Sequence, residues 1–80
     1  MYYVYVIENS SNAHYIGQTN DLERRLLEHN DPQFVEGGYT RTRGPWKLIY
    51  QEIYKTRSEA MRREKELKSG KGRNELRRMA

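Results

Sequence analysis

Two short runs rich in aromatic and β-branched residues open the chain, Tyr2-Tyr3-Val4-Tyr5-Val6-Ile7 and Ala13-His14-Tyr15-Ile16-Gly17-Gln18, separated by the polar stretch Glu8-Asn9-Ser10-Ser11-Asn12. The runs predict strands over 2–7 and 13–18, and the turn-forming residues between them predict an antiparallel hairpin. Side chains on a strand alternate sides, so Tyr3, Tyr5 and Ile7 share one face while Tyr2, Val4 and Val6 share the other. Tyr15 and Gly17 share a face in the same way. Tyr5 and Tyr15 can then lie side by side, with Gly17 removing a side chain beside them. Most strand tyrosines are core or cross-strand pairs, and these residues alone favour that use.

The period then changes. Asn20 can cap a helix and Glu23, three residues on, can complete a capping box, which predicts a helix over 21–30. Leu22 and Leu26 fall on one apolar stripe that carries Arg25 and His29 on its edge, one turn apart, whereas Arg24 points to solvent. Asp31-Pro32 stops the helix. Residues 31–45 carry Gly37, Gly38, Gly44 and Pro45 without periodicity and read as a long loop that exposes Arg41 and Arg43, a length that favours a functional role. Trp46 to Tyr54 reads as a third strand. Thr56 with Glu59 predicts a second capped helix over 57–68, ended by Gly70 and Gly72, and 73–79 a short last helix. The sum is an α/β fold: a three-stranded antiparallel sheet flanked by helices, one domain over 1–80.

In the second helix Glu64 falls on the stripe shared by Ala60 and Leu67, while Glu66 faces the other way. An inward carboxylate is costly unless paired. Two partners remain open: a nearby arginine in a structural salt bridge, or a hard cation such as Mg²⁺.

Composition narrows the choices. Eighty residues with 35% hydrophobic content support one small core, with a stability of about 4 to 12 kcal/mol. The chain has no cysteine and two histidines, so a disulfide framework and a thiolate zinc site are excluded, two histidines argue against a multi-histidine cage, and any metal is expected on oxygens. Its apolar runs are too short for a signal-peptide core or a membrane span, which predicts a cytoplasmic protein. The net charge is +4. Between Arg62 and Arg78 stand eight lysines and arginines against Glu64, Glu66 and Glu75, a local balance of 8 − 3 = +5. That segment is either a solvated helix face or a surface for a polyanion.

With these residues placed, the chain resembles the GIY-YIG endonucleases, most closely the small stand-alone bacterial type related to the nuclease domain of the excision-repair protein UvrC. Tyr15-Ile16-Gly17 is the second half of the signature as written. Tyr3-Val4-Tyr5 stands for the first half, with Tyr3 in place of glycine. The order and spacing of Tyr5, Tyr15, Arg25, His29 and Glu64 carry the resemblance over nearly the whole chain. It implies that Tyr5 accepts the proton of the attacking water, that Tyr15 is its neighbour on the scissile phosphate, and that Arg25 binds that phosphate. It further implies that His29 assists, and that Glu64 is the sole protein ligand of one Mg²⁺ or Mn²⁺ ion. Gln18 stands where some members have lysine. Asn74 matches a polar residue that the family often carries near its end.

The chemistry asks for the same groups. Phosphodiester hydrolysis needs in-line attack by water, neutralisation of the phosphorane and a stabilised leaving 3′-oxygen. A tyrosine of ordinary pKa is ionised in about one part in a thousand at pH 7, a deficit that Arg25 and the metal are expected to reduce. Arginine also binds phosphate in a bidentate way. Arg41, Arg43, Lys68, Lys71, Arg73 and Asn74 are the expected backbone contacts, which carry no sequence information. The expected partner is DNA, with RNA open because the chemistry does not involve the 2′-hydroxyl. A structured or nicked substrate in repair or recombination fits so short a chain, as does a protein partner that supplies specificity. The competing expectation is a non-catalytic nucleic-acid-binding module of the same fold, for which an inward Glu64 has no use. A basic protein-interaction module explains the charge alone.

Overall fold

Val4, Tyr5, Val6 and Ile7 are all buried, so the first strand, β1 (Tyr2–Glu8), needs cover on both faces and a neighbour on each edge. The computed structural model, which describes residues 1–30 and 45–79, supplies both. The sheet order is β2-β1-β3, with β2 (His14–Thr19) and β3 (Lys47–Tyr54) each antiparallel to β1. The hairpin between β1 and β2 closes on Asn9, whose Oδ1 accepts from the backbone N–H groups of Ser11 and Ala13 at 3.0 and 2.9 Å. Asn12 takes the left-handed conformation at φ 62°, which asparagine tolerates better than most residues.

Register decides which side chains meet. Tyr5 stands opposite Gly17 and Ile7 opposite Tyr15, so the two tyrosines are diagonal neighbours on one face. On the other edge Ile7 pairs with Leu48 but Val6 with Tyr50, an irregularity that leaves Ile49 as an extra residue in β3. Leu48 accordingly packs on the Tyr5 face, while Ile49, Tyr50 and Tyr54 pack on the Val4 face.

Helix α1 (Leu22–Asn30) covers the Tyr5 face, where Leu22 and Leu26 join Tyr5, Ile7 and Trp46. Its cap differs from the expected one: the Arg24 N–H donates to Asp21 Oδ1 at 3.1 Å, and the Arg25 N–H to the Asp21 carbonyl at 3.0 Å. Asp21 therefore takes the capping position expected for Asn20, because Thr19 Oγ1 accepts the Asp21 N–H at 3.1 Å and turns the chain one residue later. At the far end Asn30 pins α1 to the start of β3. It donates from Nδ2 to the Trp46 carbonyl at 3.1 Å and accepts the Trp46 N–H at 2.6 Å.

Helix α2 (Arg57–Lys68) covers the opposite face, placing Ala60 and Leu67 against Val4, Val6 and Ile16. Thr56 caps it as expected, accepting the Glu59 N–H at 3.2 Å and donating its hydroxyl to Glu59 Oε1 at 3.0 Å. The final helix departs from expectation: α3 runs Gly70–Met79, so Gly70 and Gly72 start a helix rather than separate two. Ser69 makes the break with an extended backbone, and its Oγ accepts the Gly72 N–H at 3.2 Å. Gly72 is needed for close approach, since a Cβ there would lie 2.2 Å from the Glu66 carbonyl oxygen and 2.5 Å from the Leu67 Cα. No described helix is long and apolar enough to cross a membrane.

Candidate active site

The diagonal pairing of Tyr5 and Tyr15 across Gly17 builds the floor of the site. A Cβ at residue 17 would stand 2.6 Å from Tyr5 Oη and 3.2 Å from the Tyr15 ring. Only glycine lets the Tyr5 ring lie across β2, with ring centroids of the two tyrosines 6.4 Å apart. Helix α1 brings His29 down on both. The imidazole centroid is 5.7 Å from Tyr5 and 4.9 Å from Tyr15, and its Nε2 lies 2.7 Å from Tyr5 Oη in a buried hydrogen bond. His29 is 3% exposed, and the Asn30 clamp next to it fixes the end of the helix that carries it.

Electrostatics define the roles in that bond. Burial, followed by the nearby Arg25 cation, pushes the His29 pKa down to about 4, so the imidazole is neutral at pH 7. Burial also raises the Tyr5 phenol to about 12. A hydrogen bond from Arg25 pulls it down, and the neighbouring Tyr15 and Glu64 push it further up. Arg25 thus favours ionisation of the phenol, as expected, and burial outweighs that pull. With both groups neutral, one proton is shared between Tyr5 Oη and His29 Nε2, and the histidine tautomer decides which of them donates.

Burial works against the Arg25 charge, but its hydrogen bonds to Tyr5 and Glu28 more than offset this, and its pKa is raised. Its Nη1 donates to Glu28 Oε1 at 3.0 Å, and Arg24, 68% exposed, reaches the other Glu28 oxygen at 3.4 Å. Glu28 was missed from sequence, although its place three residues after Arg25 is the signal for such a pair.

Glu64 is half-buried, its side chain 24% exposed, and Lys68 Nζ donates to its Oε2 at 2.8 Å. Its partner in the structure is thus a lysine one turn along the same helix, not the arginine considered above. Its charge also pushes the Tyr5 phenol up, the one link between Glu64 and that cluster that the described residues show. A cation fits there in one way. Among the described residues no three His, Cys, Asp or Glu side chains gather to hold a metal, so an ion would take a single protein carboxylate with water and phosphate oxygens, the habit of Mg²⁺.

The expected nucleic-acid contacts divide. Arg41 and Arg43 lie outside the described residues, as does the side chain of Arg73. Lys71 and Asn74 are exposed on α3, and Lys68 is engaged with Glu64.

A second polar cluster, on the opposite face of the sheet, was not foreseen. Glu52 accepts from Arg63 Nε at 2.9 Å and Nη2 at 3.1 Å, and from the hydroxyls of Tyr50 and Tyr54. Arg63 Nη2 also donates to Glu75 on α3 at 2.9 Å. The available signal was period two: Tyr50, Glu52 and Tyr54 share one face, which sets a carboxylate among aromatic residues.

The catalytic-domain model of the GIY-YIG family matches residues 1–77. The chain is 46% identical over 68 residues to a UPF0213 protein of Haloquadratum walsbyi, covering 85% of this chain and 74% of that one. It is 43% identical over 68 residues to a UPF0213 protein of Staphylococcus haemolyticus, covering 85% and 80%. The solution NMR structure of a UPF0213 protein from Bacillus halodurans is similar at a TM-score of 0.56 and 35% identity, over 95% of this chain and 82% of that one.

Proposed function

The chain belongs to the GIY-YIG catalytic-domain family, which implies nuclease-type chemistry, and on that footing we propose that it is a metal-dependent endonuclease hydrolysing phosphodiester bonds of DNA. The observation that carries the reading is the 2.7 Å contact between Tyr5 Oη and a neutral, buried His29 Nε2, with Arg25 on the same phenol.

A phenol held near 12 and an imidazole held near 4 stay neutral together at pH 7, so Tyr5 does not wait as a phenolate. It acts as a relay. As water attacks phosphorus, its proton passes to Tyr5 Oη while the phenolic proton passes to His29 Nε2, and the pair gains one positive charge as the phosphorane gains negative charge. Arg25, oriented by Glu28, donates to the non-bridging phosphate oxygens. Tyr15, packed on the His29 ring, lines the approach of the phosphate. Glu64 would hold the Mg²⁺ or Mn²⁺ ion once Lys68 swings away. The ion supplies charge neutralisation and stabilisation of the departing 3′-oxygen. Lys71, Arg73 and Asn74 on α3, with Arg41 and Arg43, supply backbone contacts, which favours recognition of substrate shape, such as branched or nicked DNA of repair and recombination, over sequence.

Supercoiled plasmid and branched duplexes incubated with Mg²⁺ or with EDTA test the proposal. Nicking that needs the metal and is lost in Glu64→Ala is expected. Cleavage that survives Glu64→Ala removes the metal role, binding without cleavage in any divalent metal converts the reading to a binding module, and cleavage confined to RNA changes the substrate.

A further inference from the structure

Helix α2 has to place Glu64, yet its own apolar anchorage is thin. Its buried residues are Ala60 and Leu67, one small and one flexible side chain, which set the distance of the helix from the sheet but restrain its rotation and slide weakly. The Lys68 contact to Glu64 lies within α2 and moves with it, so it cannot fix the helix against anything else. Next to Glu64 in sequence stands the side chain that can. Arg63 and Glu52 are each 18% exposed, and their two parallel hydrogen bonds form a bidentate link whose geometry is directional in a way that apolar contact is not. The link ties α2 to β3.

Both ends of the link are themselves held. The Tyr50 and Tyr54 hydroxyls donate to the Glu52 carboxylate, so its oxygens are saturated and its rotamer set. On the other side Arg63 reaches Glu75 of α3 at 2.9 Å and Glu66 at 3.7 Å. One guanidinium thus joins the sheet, the helix of the candidate metal ligand and the basic last helix. Burial alone would raise the Glu52 pKa, but the Arg63, Tyr50 and Tyr54 hydrogen bonds outweigh it and hold the carboxylate below the ordinary range, so it stays charged at neutral pH.

We infer that Arg63, locked on Glu52, is a positioning residue that fixes the pose of α2 and thereby presents the Glu64 carboxylate to a divalent cation beside Tyr5. The inference rests on the metal-dependent reading above. It assigns Arg63 no contact with substrate, and it separates Arg63 from Arg62, Lys65 and Lys71 of the same segment, which are exposed.

The test uses the full chain and Mn²⁺ as the probe, read in two ways. Without DNA, Mn²⁺ titration is followed by paramagnetic broadening of the amide signals around Glu64, with Glu64→Ala as the blank. With DNA, Mg²⁺-supported cleavage gives kcat and KM. Arg63→Lys keeps the charge and loses the fork, and Glu52→Gln keeps the shape and loses the charge. Each is expected to raise the Mn²⁺ midpoint about tenfold or more, as outer-shell changes at metal sites do. Each should lower kcat by up to about 10²-fold, the cost of a 1 Å misplacement, while KM for DNA stays near the wild-type value. The double variant should be no worse than the worse single one, since both remove one link. If Arg63→Lys does not fold, Glu52→Gln carries the test. An unchanged Mn²⁺ midpoint and kcat alongside a lowered Tm would overturn the inference and leave Arg63 a purely structural tie. Wild-type protein that cleaves no DNA in any divalent metal removes the nuclease reading and the inference with it, whereas wild-type cleavage with unaffected variants removes the inference alone.

Discussion

The two faces of the sheet carry clusters built from the same kinds of parts, tyrosines, one arginine and a glutamate, and use them in opposite ways. On the α2 face Tyr50 and Tyr54 donate to a charged Glu52 that Arg63 grips with two hydrogen bonds. The Glu52 carboxylate there already has its donors. On the α1 face Tyr5 shares its hydrogen bond with an uncharged imidazole, and the arginine lies on the phenol rather than on a carboxylate of the sheet. A tyrosine on a carboxylate is a strut, because its proton has nowhere to go that does not cost the ion pair. A tyrosine between a cation and a neutral base can take one proton and release another. The partner of a phenol thus decides whether it holds the fold or does chemistry.

The largest effect that would break this contrast is expected at Arg25. Arg25→Ala should lower the cleavage rate by about 10²- to 10³-fold, as loss of one transition-state donor does, with little change in Tm because Glu28 keeps Arg24 as a partner. Loss of Tm with the rate kept would move Arg25 to the structural side. Next, Gly17→Ala should disturb the α1 face through packing, because the added methyl meets Tyr5 Oη at 2.6 Å. A cost of about 1 to 3 kcal/mol, read by chemical denaturation, is expected together with a reduced rate as the ring is displaced.

The acid limb of stability follows from His29. Its pKa is about 4 in the fold against an ordinary 6.5, so below pH 6.5 the unfolded chain binds a proton that the native state refuses. Stability present above pH 6.5 is then lost progressively down to about pH 4 and changes no further below it on this account. His29→Gln should flatten that limb in Tm against pH, and an unchanged limb would place the titrating group elsewhere. The smallest effect is on the other face, where Tyr54→Phe removes one of several donors to Glu52. It should cost about 1 kcal/mol, with cleavage within about threefold of wild type.

The sequence made one half of this contrast legible. Period-two alternation put Tyr3, Tyr5 and Ile7 on one face and Val4 and Val6 on the other, and helical spacing set Arg25 and His29 one turn apart, because both depend only on local geometry. Gly17 was readable for the same reason, as a missing side chain beside two aromatic ones. The Glu52–Arg63 link was not, since it depends on the register of β3, which shifts by one residue at Ile49, and on contact between elements far apart in sequence. Gly70 and Gly72 misled because glycine after a helix usually stops it. Here Gly72 lets α3 pack against α2, a close approach that only the tertiary arrangement reveals. The Glu64 partner stood one turn away at Lys68, but a helical spacing that permits a pair does not say which of several cations takes it.

In the relay the Tyr5 hydroxyl moves a proton during cleavage, and the single-turnover rate of one labelled branched duplex with wild-type protein and with Tyr5→Phe, at matched DNA occupancy in Mg²⁺, reads that step. Tyr5→Phe is expected to bind the duplex as tightly as wild type and to cleave it at least about 10²-fold more slowly. Cleavage by Tyr5→Phe at the wild-type rate would contradict it.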